Sequence, residues 1–206
     1  MSLAAYLDKY QVTDYEGNSG EISAQTNRLI ELCSNIEYKN ILEIGFNAGH
    51  SAHTFLSHSL AHVTSFDLNI RKSVTYGKEY IDQKFPGRHT LILGDSTTTI
   101  PEFHTANPDK RFDLIFIDGG HTYEIATADI MNCKALSHAN TVVVIDDIIL
   151  SEEHQMEWSR GPSKAWLDAI ISRHVAYTCA EIYAVGRGMS WGTYNWTSLC
   201  SMVRST

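Results

Sequence analysis

The carboxylates of this chain recur where apolar runs stop: Asp67 after Val63-Thr64-Ser65-Phe66, Asp118 after Ile115-Phe116-Ile117, and Asp146-Asp147 after Val143-Val144-Ile145. Glu43 stands inside such a run, Ile41-Leu42-Glu43-Ile44, which opens into Gly45-Phe46-Asn47-Ala48-Gly49-His50-Ser51. Two glycines four positions apart let a backbone come close to a ligand, because glycine accepts positive φ and carries no Cβ. The spacing excludes two common nucleotide loops. A dinucleotide fingerprint beginning at Gly45 needs glycines where Asn47 and His50 stand. A P-loop needs Gly-Lys-Ser/Thr where the chain has Gly49-His50-Ser51. What remains, Glu-x-Gly-x-x-x-Gly-x-Ser, offers a carboxylate and no cation. It suits an adenosine that lacks phosphates and brings its own positive charge, a description that S-adenosylmethionine meets.

Asp67 can accept hydrogen bonds from both ribose hydroxyls, and Gly94-Asp95-Ser96 suits an adenine edge. Asp67 alone reads equally well as a helix cap or a solvated turn residue. Three such ends in chain order strengthen the nucleoside reading. The cofactor contacts expected are Glu43, Gly45, Asn47, Gly49, Ser51, Asp67, Asp95 and Ser96.

If the runs ending in Asp118 and Asp146 are neighbouring parallel strands, about 4.8 Å apart, their terminal carboxylates converge. Carboxylates gathered at one sheet edge repel one another unless a cation lies between them. An all-oxygen set of Asp118, Asp146 and Asp147 points to Mg²⁺ or Ca²⁺, with Mn²⁺ allowed, rather than zinc. The alternative keeps Asp146 or Asp147 as a cap and Asp118 in a turn. His121 lies just beyond Asp118, and its free pKa of about 6.5 suits a general base. It could equally bond a neighbouring carbonyl and do no chemistry.

Such ends need a scaffold that gathers them on one edge. Strand-like runs at 41–45, 62–67, 90–93, 112–118 and 141–146 alternate with helical patterns at 22–36, 49–60, 72–84 and 122–137. That rhythm implies an α/β fold, a doubly wound, mostly parallel sheet covered on both faces. After residue 150 a polar connection, 151–162, leads to a helix near 163–173. Two β-prone runs, Ala176–Val185 and Met189–Thr197, flank Gly186-Arg187-Gly188 and read as an antiparallel hairpin, giving a seven-stranded sheet. The connection follows the proposed metal ligands, so Trp158 and Arg160 within it read either as a lid over a substrate or as a satellite core.

The 206 residues make one domain, 1–206, with 1–36 as an N-terminal helical cover. A net charge of −8 without any basic stripe argues against nucleic-acid binding and against attraction to anionic membranes. No apolar run approaches the roughly 18 residues of a membrane span. Cys33, Cys133, Cys179 and Cys200 form no C-x-x-C pair and read as reduced buried thiols, and with no signal-peptide pattern this points to the cytoplasm. A homo-oligomer is allowed by all of this and required by none of it.

With these residues in hand, the chain resembles the class I S-adenosylmethionine-dependent methyltransferases, and within them the metal-dependent small-molecule O-methyltransferases. Ile117-Asp118-Gly119-Gly120-His121-Thr122-Tyr123-Glu124 is similar to the I-D-G-x-H-x-Y-E segment of a bacterial subgroup. The resemblance implies a Rossmann-like fold and methyl transfer to a hydroxyl of a small molecule. It implies Mg²⁺ at Asp118, Asp146 and Asp147, and catalytic roles for Asp118 and His121. Gly20–Gln25 resembles an entrance helix that partly covers the active site. Sugar-modifying relatives often carry an acidic base where this chain has Gly120, which shifts weight onto His121.

Overall fold

The computed structural model describes residues 1–15 and 17–196. Cys200 and the last residue of the expected hairpin, Thr197, lie outside them. Fourteen elements follow one another: α1 (Leu3–Lys9), α2 (Ser23–Cys33), β1 (Asn40–Ile44), α3 (His50–His58), β2 (His62–Asp67), α4 (Lys72–Lys84), β3 (His89–Leu93), α5 (Ser96–Ala106), β4 (Phe112–Ile117), α6 (Tyr123–Ala135), β5 (Ser137–Asp146), α7 (Glu157–Ile171), β6 (Val175–Ile182) and β7 (Gly188–Tyr194), with short 3₁₀ turns between some of them. The seven strands form one sheet in the order β3-β2-β1-β4-β5-β7-β6. β1 to β5 are parallel, and β7 enters antiparallel between β5 and the edge strand β6.

Alternation along the strands divides the core in two, because successive side chains point to opposite faces. Ile41, Val63, Leu114, Phe116 and Val144 pack with residues of α1 to α4. Leu42, Phe66, Ile115, Val143 and Ile145 pack with α5, α6 and α7. Glu43, Ser65, Asp118 and Asp146 continue the first set by steps of two. Parity therefore aims the polar groups of four strands at the α1–α4 side.

Two helices differ from what the sequence pattern suggests. α5 forms over Ser-Thr-Thr-Thr-Ile-Pro, a run of poor helix formers with Pro101 inside it. Burial of Ile100 and the Asp95 cap on the Thr97 N–H hold it in place. α7 starts at Glu157 rather than near 163, so Trp158 and Arg160 lie in its first turns and the connection shrinks to 147–156. Ser159 Oγ accepts from the Met156 N–H and closes that N-terminus. Gly161 lets α7 lie against the 121–123 backbone, since a Cβ there would meet the His121 carbonyl at 2.2 Å. Trp166, not Trp158, fills the core.

Candidate active site

The first turn is shaped by contact with the fourth strand. Gly45 has φ +90°, and a Cβ on it would lie 1.9 Å from the Asp118 carbonyl oxygen. The Asp118 N–H donates to the Ile44 carbonyl at 2.9 Å, so β1 and β4 stay joined to their last residues. Gly49, at φ +83°, gives the left-handed turn from which α3 begins. The Asn47 N–H donates to Asp67 Oδ2 at 2.9 Å, and the Asn69 N–H donates to Oδ1 at 2.8 Å. Asp67 thus knits the first two turns together, while each oxygen keeps a further lone pair for a ligand. Asp95 Oδ1 caps α5 through Thr97, which leaves its other oxygen free of that cap, and Ser96 opens the helix.

Glu43 is fully buried below this turn, facing the hydroxyls of Ser51 and Ser65. Burial pushes its pKa up to about 7, and the two hydroxyls restrain the rise. Ser65 also bonds His89 Nε2 at 2.9 Å, and burial lowers that imidazole to about 3. His89 is therefore neutral, and Glu43, Ser65 and His89 make a buried polar line across β1, β2 and β3.

Beyond β4 and β5 lies the acidic edge. Pairing of Ile117 with Ile145 puts Asp118 and Asp146 one residue past partnered positions. In a continuing strand Asp147 would face away from Asp146, but φ +58° at Asp147 ends the strand there. One ligand atom each from Asp118, His121 and Asp147 then lies within 4.8 Å of the others. His121 Nε2 is 3.0 Å from Asp147 Oδ2, with the imidazole side chain 49% exposed. Asp118, Gly119, Gly120, His121, Asp146 and Asp147 line a small cleft of about 10 Å³, room for little more than a single ion or water. Burial, then the charges of Asp146 and Asp147, raise the Asp118 pKa far above the usual carboxylate range. Asp146 rises to about 7, from burial first and Asp147 second. Buried carboxylates set side by side are what a divalent cation would relieve, and two carboxylates with one imidazole, Asp146 adjoining, make a donor set able to hold one.

The structure thus brings Asp118, Asp147 and His121 together. Asp146 adjoins them, but its carboxylate faces α2, where Gln25 Nε2 donates to Oδ1 at 2.8 Å and to Oδ2 at 2.7 Å. Three polar groups of the site were not singled out from sequence. Gln25 occupies the buried stripe of α2 with Leu29 and Cys33, at spacing i, i+4, i+8, and a polar residue on an apolar stripe was the signal available. Asp129 stands on the inner face of α6 beside Ala126, Ile130 and Cys133, fully buried, its pKa raised to about 6 by desolvation. Its Oδ2 is 2.8 Å from where a Gly119 Cβ would be, so only glycine fits between Asp129 and the turn after β4. Arg187, from the hairpin turn, bonds the Asn18 carbonyl and Glu21, and its charge offsets a small part of the rise at Asp118 and Asp146.

Comparison with known proteins gives a family and a fold. A family model described as a methyltransferase domain matches residues 42–148, just over half of the chain. Among solved structures, an O-methyltransferase from Bacillus cereus in complex with SAH superposes with a TM-score of 0.75 at 17% identity, over 94% of this chain and 89% of that one. TomG from Streptomyces achromogenes, an O-methyltransferase of tomaymycin synthesis in complex with SAM, gives 0.72 at 16% identity, over 94% and 87%. CalS11, a TDP-rhamnose 3′-O-methyltransferase of calicheamicin biosynthesis, gives 0.63 at 18% identity, over 85% and 78%. No curated protein sequence matches the chain. No helix among the described residues is long and apolar enough to cross a membrane.

Proposed function

This chain belongs to the methyltransferase-domain family, and on that premise we propose that it moves a methyl group from S-adenosylmethionine to a hydroxyl of a small molecule with the help of a divalent cation. The observation that carries the proposal is the contact of Gly45 with the Asp118 carbonyl. It makes the glycine turn and the acidic edge two sides of one wall, as a donor of methyl and a coordinated acceptor require. The structural neighbours described with SAM or SAH support the choice of donor.

When bound, the donor supplies an electrophilic methyl on a sulfonium, and a divalent cation such as Mg²⁺ lowers the pKa of a nearby hydroxyl. The residues of the chain do the rest. Glu43, Gly45, Asn47, Gly49 and Ser51 shape the methionine and ribose side of the donor site. Asp67 accepts from the ribose, and Asp95 with Ser96 receives the adenine. Asp118, Asp146 and Asp147 would hold the cation. His121, oriented by Asp147, is placed to take the hydroxyl proton. The chain's main contribution is alignment of oxygen, carbon and sulfur, which proximity alone makes worth many orders of magnitude in rate.

A second reading has its own observation. His121 Nε2 lies 3.0 Å from Asp147 Oδ2, an arrangement that suits a metal-independent transferase using this pair as base. One experiment separates the two. The protein is incubated with labelled S-adenosylmethionine and a panel of catechols, vicinal diols and simple alcohols, with Mg²⁺ or after exhaustive chelation. Methylated product that vanishes on chelation and returns with Mg²⁺ is the expected result. Product that survives chelation selects the second reading, and failure to bind the donor in calorimetry refutes both.

A further inference from the structure

Building on the cation-assisted reading above, we infer that Gln25 is a positioning residue that orients the Asp146 carboxylate for the divalent cation and so ties the docking of α2 to the metal site. The two side chains are 0% and 4% exposed, and one amide nitrogen reaches both oxygens of the acid. The amide gives something up to do this. Its own Oε1 is buried without a hydrogen-bond partner. If Gln25 served only to anchor α2, an aliphatic residue such as its neighbour on the stripe, Leu29, would do so without an orphaned carbonyl. Its orientation is set by the acid. A carboxylate has about four lone-pair sites, so an amide on two of them, with the Asp147 N–H beside it, fixes the plane of the group and still leaves it capacity for a cation. Supporting groups of this kind hold ligand carboxylates in metal sites generally.

α2 is itself pinned to the C-terminal hairpin. Arg28 forks onto Glu181 of β6, and Arg187 holds the Asn18 carbonyl and Glu21 just ahead of the helix. Thr26 Oγ1 donates back to the Ser19 carbonyl at 2.6 Å. Gln25 therefore reaches Asp146 from a helix braced at its start and at its middle, and the acid reports whether that helix is seated.

The test measures Mn²⁺ binding by electron paramagnetic resonance on the full chain, without donor or acceptor. Gln25→Leu, Asp146→Asn and the double variant are compared with the wild type, with Gln25→Met as a substitute should the Leu variant fail to fold. Gln25→Leu is expected to weaken Mn²⁺ about tenfold. In the Asp146→Asn background the same change is expected to have no further effect, since the carboxylate it acts on is gone. An unchanged Mn²⁺ affinity with a lowered melting temperature makes Gln25 a helix anchor only and overturns the inference. An equal loss in both backgrounds shows that the effect does not pass through Asp146 and overturns it too. A wild type that binds no Mn²⁺ at all refutes the cation reading itself, a different result from either.

Discussion

Gly45→Ala tests the wall between the glycine turn and the acidic edge. A methyl at Gly45 would lie 1.9 Å from the Asp118 carbonyl oxygen, a backbone atom, and that separation has to open by more than an ångström. A left-handed backbone costs an L-residue roughly 1–2 kcal/mol, and forcing a methyl into a packed site costs about 1–3 kcal/mol more. The sum, about 2–5 kcal/mol, is a large share of the ~5–15 kcal/mol that stabilises a typical domain. For a chain of this size it corresponds to a fall in Tm of roughly 4–20 °C. Gly87→Ala supplies the control. Gly87 has φ +74° with nothing within 4 Å of its Cβ position, so it carries the strain without the clash. It should lose only about 1–2 kcal/mol. Urea unfolding followed by tryptophan fluorescence, with Trp166 and Trp191 as buried reporters, gives both values. Equal losses in the two variants would refute the reasoning, because the β1–β4 contact would then impose nothing.

Two further predictions follow from the buried acids. The pKa of Glu43 rises from 4.5 to about 7 on folding, so the wild type loses stability as pH climbs through that window, on the order of 3 kcal/mol in all. Glu43→Gln cannot ionise, so its stability relative to wild type should grow between pH 4.5 and pH 8; a pH-independent difference in urea unfolding would contradict this. Asp118→Asn should raise the melting temperature of the metal-free protein by removing the cost of keeping a buried acid protonated beside Asp146 and Asp147, and weaken Mn²⁺ binding at least about tenfold. A variant less stable than wild type without metal would show that the carboxylates are not in conflict.

Much of this architecture was legible in the sequence because it depends on local chemistry. The alternation of apolar runs with helical patterns dictates a parallel sheet, and a glycine turn after β1 needs no partner to be recognised. Period-two parity groups Glu43 with Ile41 and Asp146 with Val144, but the pairing of β1, β4 and β5 is what puts Glu43, Asp118 and Asp146 on one face. The hairpin was legible as well, though not that β7, the later strand, would be the one to enter beside β5. α5 was not legible, because its residues disfavour a helix and only the burial of Ile100 and a cap from Asp95 make one there. The start of α7 was hidden for a similar reason, with Gly161 and Pro162 reading as a loop until packing against the 121–123 backbone makes that glycine necessary.

At the site, the residue types came from the sequence and the partnerships came from the fold. A run of aspartates at strand ends announces an acidic edge. It does not say that a left-handed turn at Asp147 would set that residue beside His121, or that Asp146 would be met by Gln25 from 121 positions away in the chain. Composition and spacing specify backbone preference and charge over a few residues, and those terms survive in any compact state. Which buried polar group faces which is decided by long-range packing, and only the folded chain brings such groups within hydrogen-bond reach.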